Sequence, residues 1–347
     1  MPQYDAILVL SFGGPEKPED VMPFLENVLR GRNVPRPRML QVAEHYYQFG
    51  GRSPINDQCR ALIAALRTEL DAHGPRLPIY WGNRNWHPML EHTMRKMARD
   101  GVRRALVFIT SAYSSYSACR QYMEDIERAR QTVGDGAPVF EKLRHFHNHS
   151  GFIWPNAENL RAALDQLPDA EVLFTAHSIP LEMARTSKYV AQLEEASRLI
   201  ALGAGCPNYR LVYQSRSGSP QQPWLGPDIL EALAEVKEAG ANKVVVAPIG
   251  FISDHMEVIY DLDYEAAARA GELGLKMVRA ATVGTHPRFV AMIRELIAER
   301  AAGGVDADPC RQDCCPAPLT GARLTEIATP CSAEPLPEES GKRPRHD

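Results

Sequence analysis

His177 and a row of carboxylates between 254 and 265 are the groups most able to do chemistry in this 347-residue chain. His177 stands in Thr175-Ala176-His177-Ser178-Ile179-Pro180, directly after an apolar run. An imidazole at a strand end can accept a proton or bind a borderline metal near neutral pH, and Pro180 stiffens the turn that carries it. Asp254, His255, Glu257, Asp261, Asp263 and Glu265 follow the most apolar run of the chain, residues 244–251. If a helix begins near Asp254, then Asp254, Glu257, Asp261 and Glu265 share one face. Such a row can relay protons or pass hydrated divalent cations, which favour oxygen ligands. The plainer reading is a helix capped by Asp254 with a solvated acidic face, and the carboxylates alone do not displace it. Paired across a cleft, His177 and Glu257 would be a base and a carboxylate able to strip protons from a nitrogen ligand and hold a metal ion.

The cysteines suggest a second centre. Cys310, Cys314 and Cys315 fall close together near the end of the chain, with Cys331 beyond them. Cys59, Cys119 and Cys206 are scattered. An odd total of 7 in a chain with no secretion signal argues against a disulfide framework. Thiols so closely spaced are a metal-site signal, for iron–sulfur or for zinc. The glycine-rich turns are Gly13-Gly14-Pro15 and residues 49–56, 82–88 and 215–228. None is a dinucleotide or phosphate loop, so nucleotide binding is unsupported.

These groups need a scaffold. Strand-like runs at 6–11, 78–81, 105–110, 171–176, 210–214, 243–249 and 276–280 alternate with amphipathic stretches at 58–73, 88–99, 117–133, 187–202 and 229–239. That order predicts an α/β fold with parallel sheets covered by helices. Segments 10–15 and 175–180 open two similar halves. We therefore expect two Rossmann-like halves, 1–160 and 161–300, joined near 156–168, and a cysteine-containing tail, 301–347. Ligands of open α/β sheets bind beyond the carboxyl ends of strands, which places the loaded segments in a cleft between the halves. Composition is that of a soluble globular protein, with a net charge of −4, so no nucleic-acid partner is expected. No apolar run is long enough to span a membrane, and the first residues do not form a signal peptide. A cytoplasmic protein is the default expectation.

Several motifs occur in order at fitting intervals: Ser-Phe-Gly-Gly-Pro-Glu from 11, Gly-Gly-Arg-Ser-Pro-Ile from 50, Thr-Ala-His-Ser-Ile-Pro from 175, and Gln-Ser-Arg-Ser-Gly from 214. Pro-Trp-Leu-Gly-Pro-Asp from 223 and the 248–263 segment complete the set. From about 5 to 299 the chain resembles the ferrochelatases, lyases that insert ferrous iron into a porphyrin in heme synthesis. It looks most like the actinobacterial type, associated with coproporphyrin III. The resemblance implies a type II chelatase-like fold, with coproporphyrin III and Fe²⁺ as substrates and coproheme for heme b biosynthesis as product. A monomer or weak dimer is the expected state.

Carried over by resemblance, His177 and Glu257 are the catalytic and iron-facing pair. Phe12, Arg30, Ser53 and Tyr122 are porphyrin-contacting positions. Phe12 departs from members with a tyrosine that reaches the product iron, so any axial ligand must come from elsewhere, such as His177. Many ferrochelatases hold a [2Fe–2S] cluster on three C-terminal cysteines and one upstream. Here those positions are Cys310, Cys314 and Cys315 with Cys119, leaving Cys206 and Cys331 as alternatives. Rival readings are a protoporphyrin IX ferrochelatase, a cobalt chelatase acting on a corrinoid precursor, and a non-catalytic tetrapyrrole carrier or sensor.

Overall fold

The computed structural model describes residues 4–31, 34–217, 222–304 and 314–317. Its first strand, β1 (Ala6–Ser11), is buried along its whole length, as an unbroken apolar run requires when helices cover both faces. It leads into α1 (Pro18–Val28), α2 (Arg36–Gln48) and α3 (Ile55–His73). β2 (Ile79–Asn83), α4 (Leu90–Arg99) and β3 (Arg104–Ile109) follow. A π-turn at Tyr116–Arg120 opens α5 (Gln121–Val133), and β4 (Val139–Lys142) completes a parallel sheet of order β2-β1-β3-β4.

The chain then forms α6 (Ser150–Gln166), so the expected junction at 156–168 is largely helical. β5 (Glu171–His177), α7 (Leu181–Arg185), α8 (Tyr189–Ala204) and β6 (Arg210–Gln214) come next. α9 (Ile229–Glu238) starts at a capping box made by Asp228 and Glu231 and leads into β7 (Lys243–Ala247). A single turn, α10 (Met256–Val258), runs into a π-helix at Ile259–Ala266 and then α11 (Ala267–Glu272). β8 (Lys276–Arg279) and α12 (Pro287–Ala301) end the fold. The second sheet is again parallel, in the order β6-β5-β7-β8.

The expected α/β fold of two helix-flanked parallel sheets is therefore present, with the same strand order in each half. That order places a crevice beyond the carboxyl ends of β1 and β3, and another beyond β5 and β7, where consecutive connections run to opposite sides. One core cluster holds Ile7, Leu66 and Phe108 of the first half together with Phe174, Val245 and Phe289 of the second. Among the described residues, no helix is long and apolar enough to cross a membrane.

Candidate active site

His177 is the last residue of β5, and Glu257 lies in the short helix that follows β7. The two therefore meet over the β5/β7 crevice, with His177 Nε2 3.4 Å from Glu257 Oε1. His177 Nδ1 donates to the Ser178 carbonyl, which turns Nε2 toward the carboxylate. Tyr189 Oη donates to the His177 carbonyl at 2.9 Å, and Gln214 Nε2 donates to the Glu257 carbonyl at 2.7 Å. Ser178 Oγ donates to Leu225 O at 2.8 Å, tying the histidine turn to the 222–228 loop. The pair is thus fixed from its own strand, from α8 and from β6. It stays open on one side, with the Glu257 side chain 46% exposed.

Electrostatics changes one expectation. Burial pushes His177 down, but the facing Glu257 carboxylate outweighs it and raises the imidazole to about 9. Burial pushes Glu257 up, and the histidine outweighs that in turn, lowering the carboxyl to about 2. At neutral pH the substrate-free pair is imidazolium and carboxylate, not the neutral imidazole expected from the sequence. His255 caps the same short helix, its Nδ1 accepting from the Glu257 N–H at 3.2 Å. Burial holds its own titration below the usual range.

The carboxylate row is shorter than the sequence suggested. Asp254 precedes the helix, ion-pairs with Arg279 at 3.2 Å and accepts from Thr282 Oγ1 at 3.0 Å. It neither caps the helix nor extends the row. Glu257, Asp261 and Glu265 remain, spaced by four residues along α10 and the π-helix, and mutual repulsion couples Asp261 to both neighbours. Burial, reinforced by those two carboxylates, raises Asp261 to about 7, although Ser215 Oγ donates to it. Glu265 is also raised, first by burial. The row runs from a fully ionised carboxylate at the pair to one that exchanges its proton near neutrality.

Across the cleft stands an aromatic wall. Phe12 follows β1 and meets Phe24 edge-on at 6.3 Å, while Phe24 meets Tyr46 at 5.8 Å and Trp86 at 6.3 Å. Burial raises the Tyr46 phenol, and Glu257 and Asp261 push it the same way, which places this residue of α2 beside the row. His45 stacks on Tyr260 of the π-helix at 3.8 Å, so α2 bridges the two halves at the cleft. Ser53 is buried under Gly14, where a Cβ would come within 2.8 Å of the serine Cβ. Arg30 is exposed just past α1. Tyr122 is buried in the first-half core, with the Arg84 guanidinium 4.4 Å over its ring. A cavity of about 160 Å³ lies beside Ser253, room for a few waters and too small for a tetrapyrrole.

Tyr46, Tyr189, Gln214, Arg84 and Arg279 were not singled out by sequence reasoning. Arg84 lies in the glycine-rich turn 82–88, and Gln214 opens the Gln-Ser-Arg-Ser-Gly motif. The other three carry no local signal.

Cys119 sits buried in the π-turn, and Lys142 Nζ donates to its Sγ at 3.1 Å, surroundings that suit a thiolate ligand. Cys315 is buried with φ +50°, and Cys314 is half-buried. Cys310 and Cys331 lie outside the described residues. Among the described residues, no three His, Cys, Asp or Glu side chains converge on a metal site. Cys206 closes α8, its Sγ donating to Asn208 O at 3.1 Å.

The sequence pattern of the family described as Ferrochelatase matches residues 4–301. The chain belongs to the ferrochelatase family. It is 55% identical to the ferrochelatase of Rhodopirellula baltica over 91% of this chain and 94% of that protein. It is 50% identical to the coproporphyrin III ferrochelatase of Nocardia farcinica, covering 90% and 96%, and 51% identical to that of Streptomyces coelicolor, covering 88% of each. In fold it is similar to SirB from Bacillus subtilis, solved with Fe³⁺, at a TM-score of 0.55 and 13% identity, covering 88% of this chain and all of the other. The type II chelatase-like fold is thereby supported, and ferrochelatase membership makes this an enzyme that inserts iron into a porphyrin.

Proposed function

We propose that the chain inserts Fe²⁺ into coproporphyrin III to give coproheme for heme b biosynthesis. The observation that carries this reading is the half-identity, over nearly full length, to proteins named coproporphyrin III ferrochelatases. The site supports it chemically. Insertion exchanges two pyrrole protons for one Fe²⁺. Phe12 and Trp86, backed by buried Phe24, suit a flat macrocycle, with Arg30 as a further porphyrin contact; Ser53 and Tyr122, expected from the resemblance to touch the porphyrin, are buried. A rigid wall can also hold the ring bent and expose its nitrogen lone pairs.

His177 and Glu257 act as the metal-facing pair. Fe²⁺ passes along Glu265 and Asp261 to Glu257, where its charge replaces that of the imidazolium. The His177 proton then leaves, and the neutral imidazole takes the first pyrrole proton, hands it to the carboxylate row and takes the second. Asp261, raised to about 7, can carry protons outward along the same row.

A [2Fe–2S] cluster on Cys119, Cys310, Cys314 and Cys315 belongs to the same proposal. Buried Cys119 beside Lys142 supports it. Such a group supplies one-electron redox chemistry, which iron insertion itself does not use, so its role is structural or sensory. Anaerobically purified protein is expected to show iron and sulfide in equal amounts and a visible charge-transfer spectrum. Colourless protein lacking sulfide would overturn the cluster.

The deciding experiment is anaerobic insertion of Fe²⁺ into coproporphyrin III and, separately, into protoporphyrin IX. Faster turnover of coproporphyrin is expected. Preference for protoporphyrin would keep the enzyme class and move its substrate. Tight binding of both with no turnover would point to a carrier or sensor.

A further inference from the structure

Arg279 is the last residue of β8, paired in register with Val246 of β7. Its guanidinium meets two carboxylates at once. Nε and Nη2 reach the two Asp263 oxygens at 2.5 and 3.0 Å. Nη1 and Nη2 reach the two Asp254 oxygens at 3.2 and 3.3 Å. The arginine side chain is only 17% exposed. Asp254 precedes α10 and Asp263 lies inside the π-helix, so the clamped span contains His255, Glu257 and Asp261. From the other half, Gln58 Oε1 accepts the Asp254 N–H at 3.0 Å.

π-helical turns are rare and are found disproportionately at functional sites, because local hydrogen bonding alone does not favour them over the α form. Contacts outside the helix must then select the wide turn. A planar guanidinium engaged by two carboxylates fixes both distance and direction. A lysine ammonium in its place could satisfy charge but not the double fork.

We infer that Arg279 is a positioning residue for metal insertion: by clamping Asp254 and Asp263 it holds the start of the π-helix, and so holds Glu257 against His177. The inference rests on reading that pair as metal-facing. It also explains why Asp254, though acidic and close by, is not a stop for the incoming cation. Its charge is already matched by Arg279.

The effect of losing the clamp is selective. Glu257 and Asp261 lie on the clamped span, whereas the porphyrin contacts proposed above lie on the first half. Arg279→Met in the full-length protein is therefore expected to lower kcat/KM for Fe²⁺ by about 10–100-fold, the usual cost of misplacing a reacting group by an ångström or less. The Kd for coproporphyrin III, read by fluorescence quenching, should stay within about twofold, since its contacts are untouched. Arg279→Lys should recover only part of the loss. A folded Arg279→Met protein with unchanged kcat/KM for iron would overturn the inference, as would a parallel loss of porphyrin affinity. If that variant does not fold, Asp263→Asn removes one arm of the clamp and must show the same split; its absence overturns the inference equally. Glu257→Gln, run beside them, separates the two ideas. An active Glu257→Gln enzyme would sink the metal-facing reading itself. A dead one with an indifferent Arg279 variant would sink only the clamp.

Discussion

At the residue scale the proposed metal-facing pair, His177 and Glu257, should set the pH behaviour. The carboxylate holds the imidazole at about 9, so the proton-accepting form grows as pH rises toward that value. In the free enzyme kcat/KM for Fe²⁺ should therefore climb through an alkaline limb with an apparent pKa near 9. Replacing Glu257 with Gln removes the charge that opposes burial. The limb of any residual activity should then move down, to the ordinary histidine range or below. A limb that stays near 9 in that variant would mean the titrating group is not His177. Asp261 gives a second test, with the opposite cost. Burial raises it to about 7, from an unfolded value near 3.8. A raised acid favours the fold in its protonated form. The favourable contribution is complete below about 3.8 and is lost as pH rises through about 7. Asp261→Asn should thus stabilise the protein at pH 8 by about 2–3 kcal/mol more than at pH 5. Iron insertion should slow in the same variant. Thermal melting at both pH values checks the first claim and steady-state assays the second.

At the scale of elements, the site depends on how the end of β7 passes the end of β5. Gly250 donates its N–H to Thr175 O at 3.0 Å, and a Cβ there would lie 2.6 Å from Ala176 Cα. Backbone is what it meets, so something must move. Ala176 adjoins His177, and Gly250 leads to Asp254. Gly250→Ala should destabilise the fold by about 1–3 kcal/mol and pull the pair apart, with a loss of activity larger than the loss of stability explains. A variant melting and turning over like the parent would refute this. Most strands were legible because parallel strands buried on both faces read as unbroken apolar runs, and β1 and β6 match their sequence boundaries. β4 was not legible, being four residues with no fully buried position. The π-helix was hidden because carboxylates four apart fit an α-helical face as well as a wider turn. Asp254 was misplaced for a related reason: its partner Arg279 is 25 residues away, and no local pattern reports so distant a contact. That His177 and Glu257 would meet was legible because their motifs are distinctive, but the histidine's charge depends on the 3.4 Å separation that only folding creates.

At the scale of the molecule, the two sheets do not behave as two proteins. The core that joins them is continuous, from Ile7 and Phe108 to Phe174 and Val245. α12, from the end of the fold, packs back on α3, and Arg294 pairs with Glu69 there at 2.8 Å. Tyr113 Oη, fully buried after β3, donates to Ile249 O after β7 at 2.9 Å. Gln192 of α8 accepts both the N–H and the hydroxyl of Ser114, at 2.7 and 3.0 Å. A cleft built between the halves needs this, since loose halves would let His177 and the first-half aromatic wall drift apart. Cutting such an interface exposes apolar surface on both sides, so neither half should persist when the other unfolds. Urea unfolding is therefore expected as one transition, with far-UV circular dichroism coinciding with tryptophan fluorescence. Trp81 and Trp86 report the first half, Trp224 the second and Trp154 the junction helix α6, and single-tryptophan versions should share one midpoint. Tyr113→Phe leaves the Ile249 carbonyl buried without its donor. It should lower that common midpoint, at a cost of about 1–3 kcal/mol, and should not split it. Two separated midpoints would show that the halves are held together by less than this core, and that the geometry of the pair is set within the second half alone.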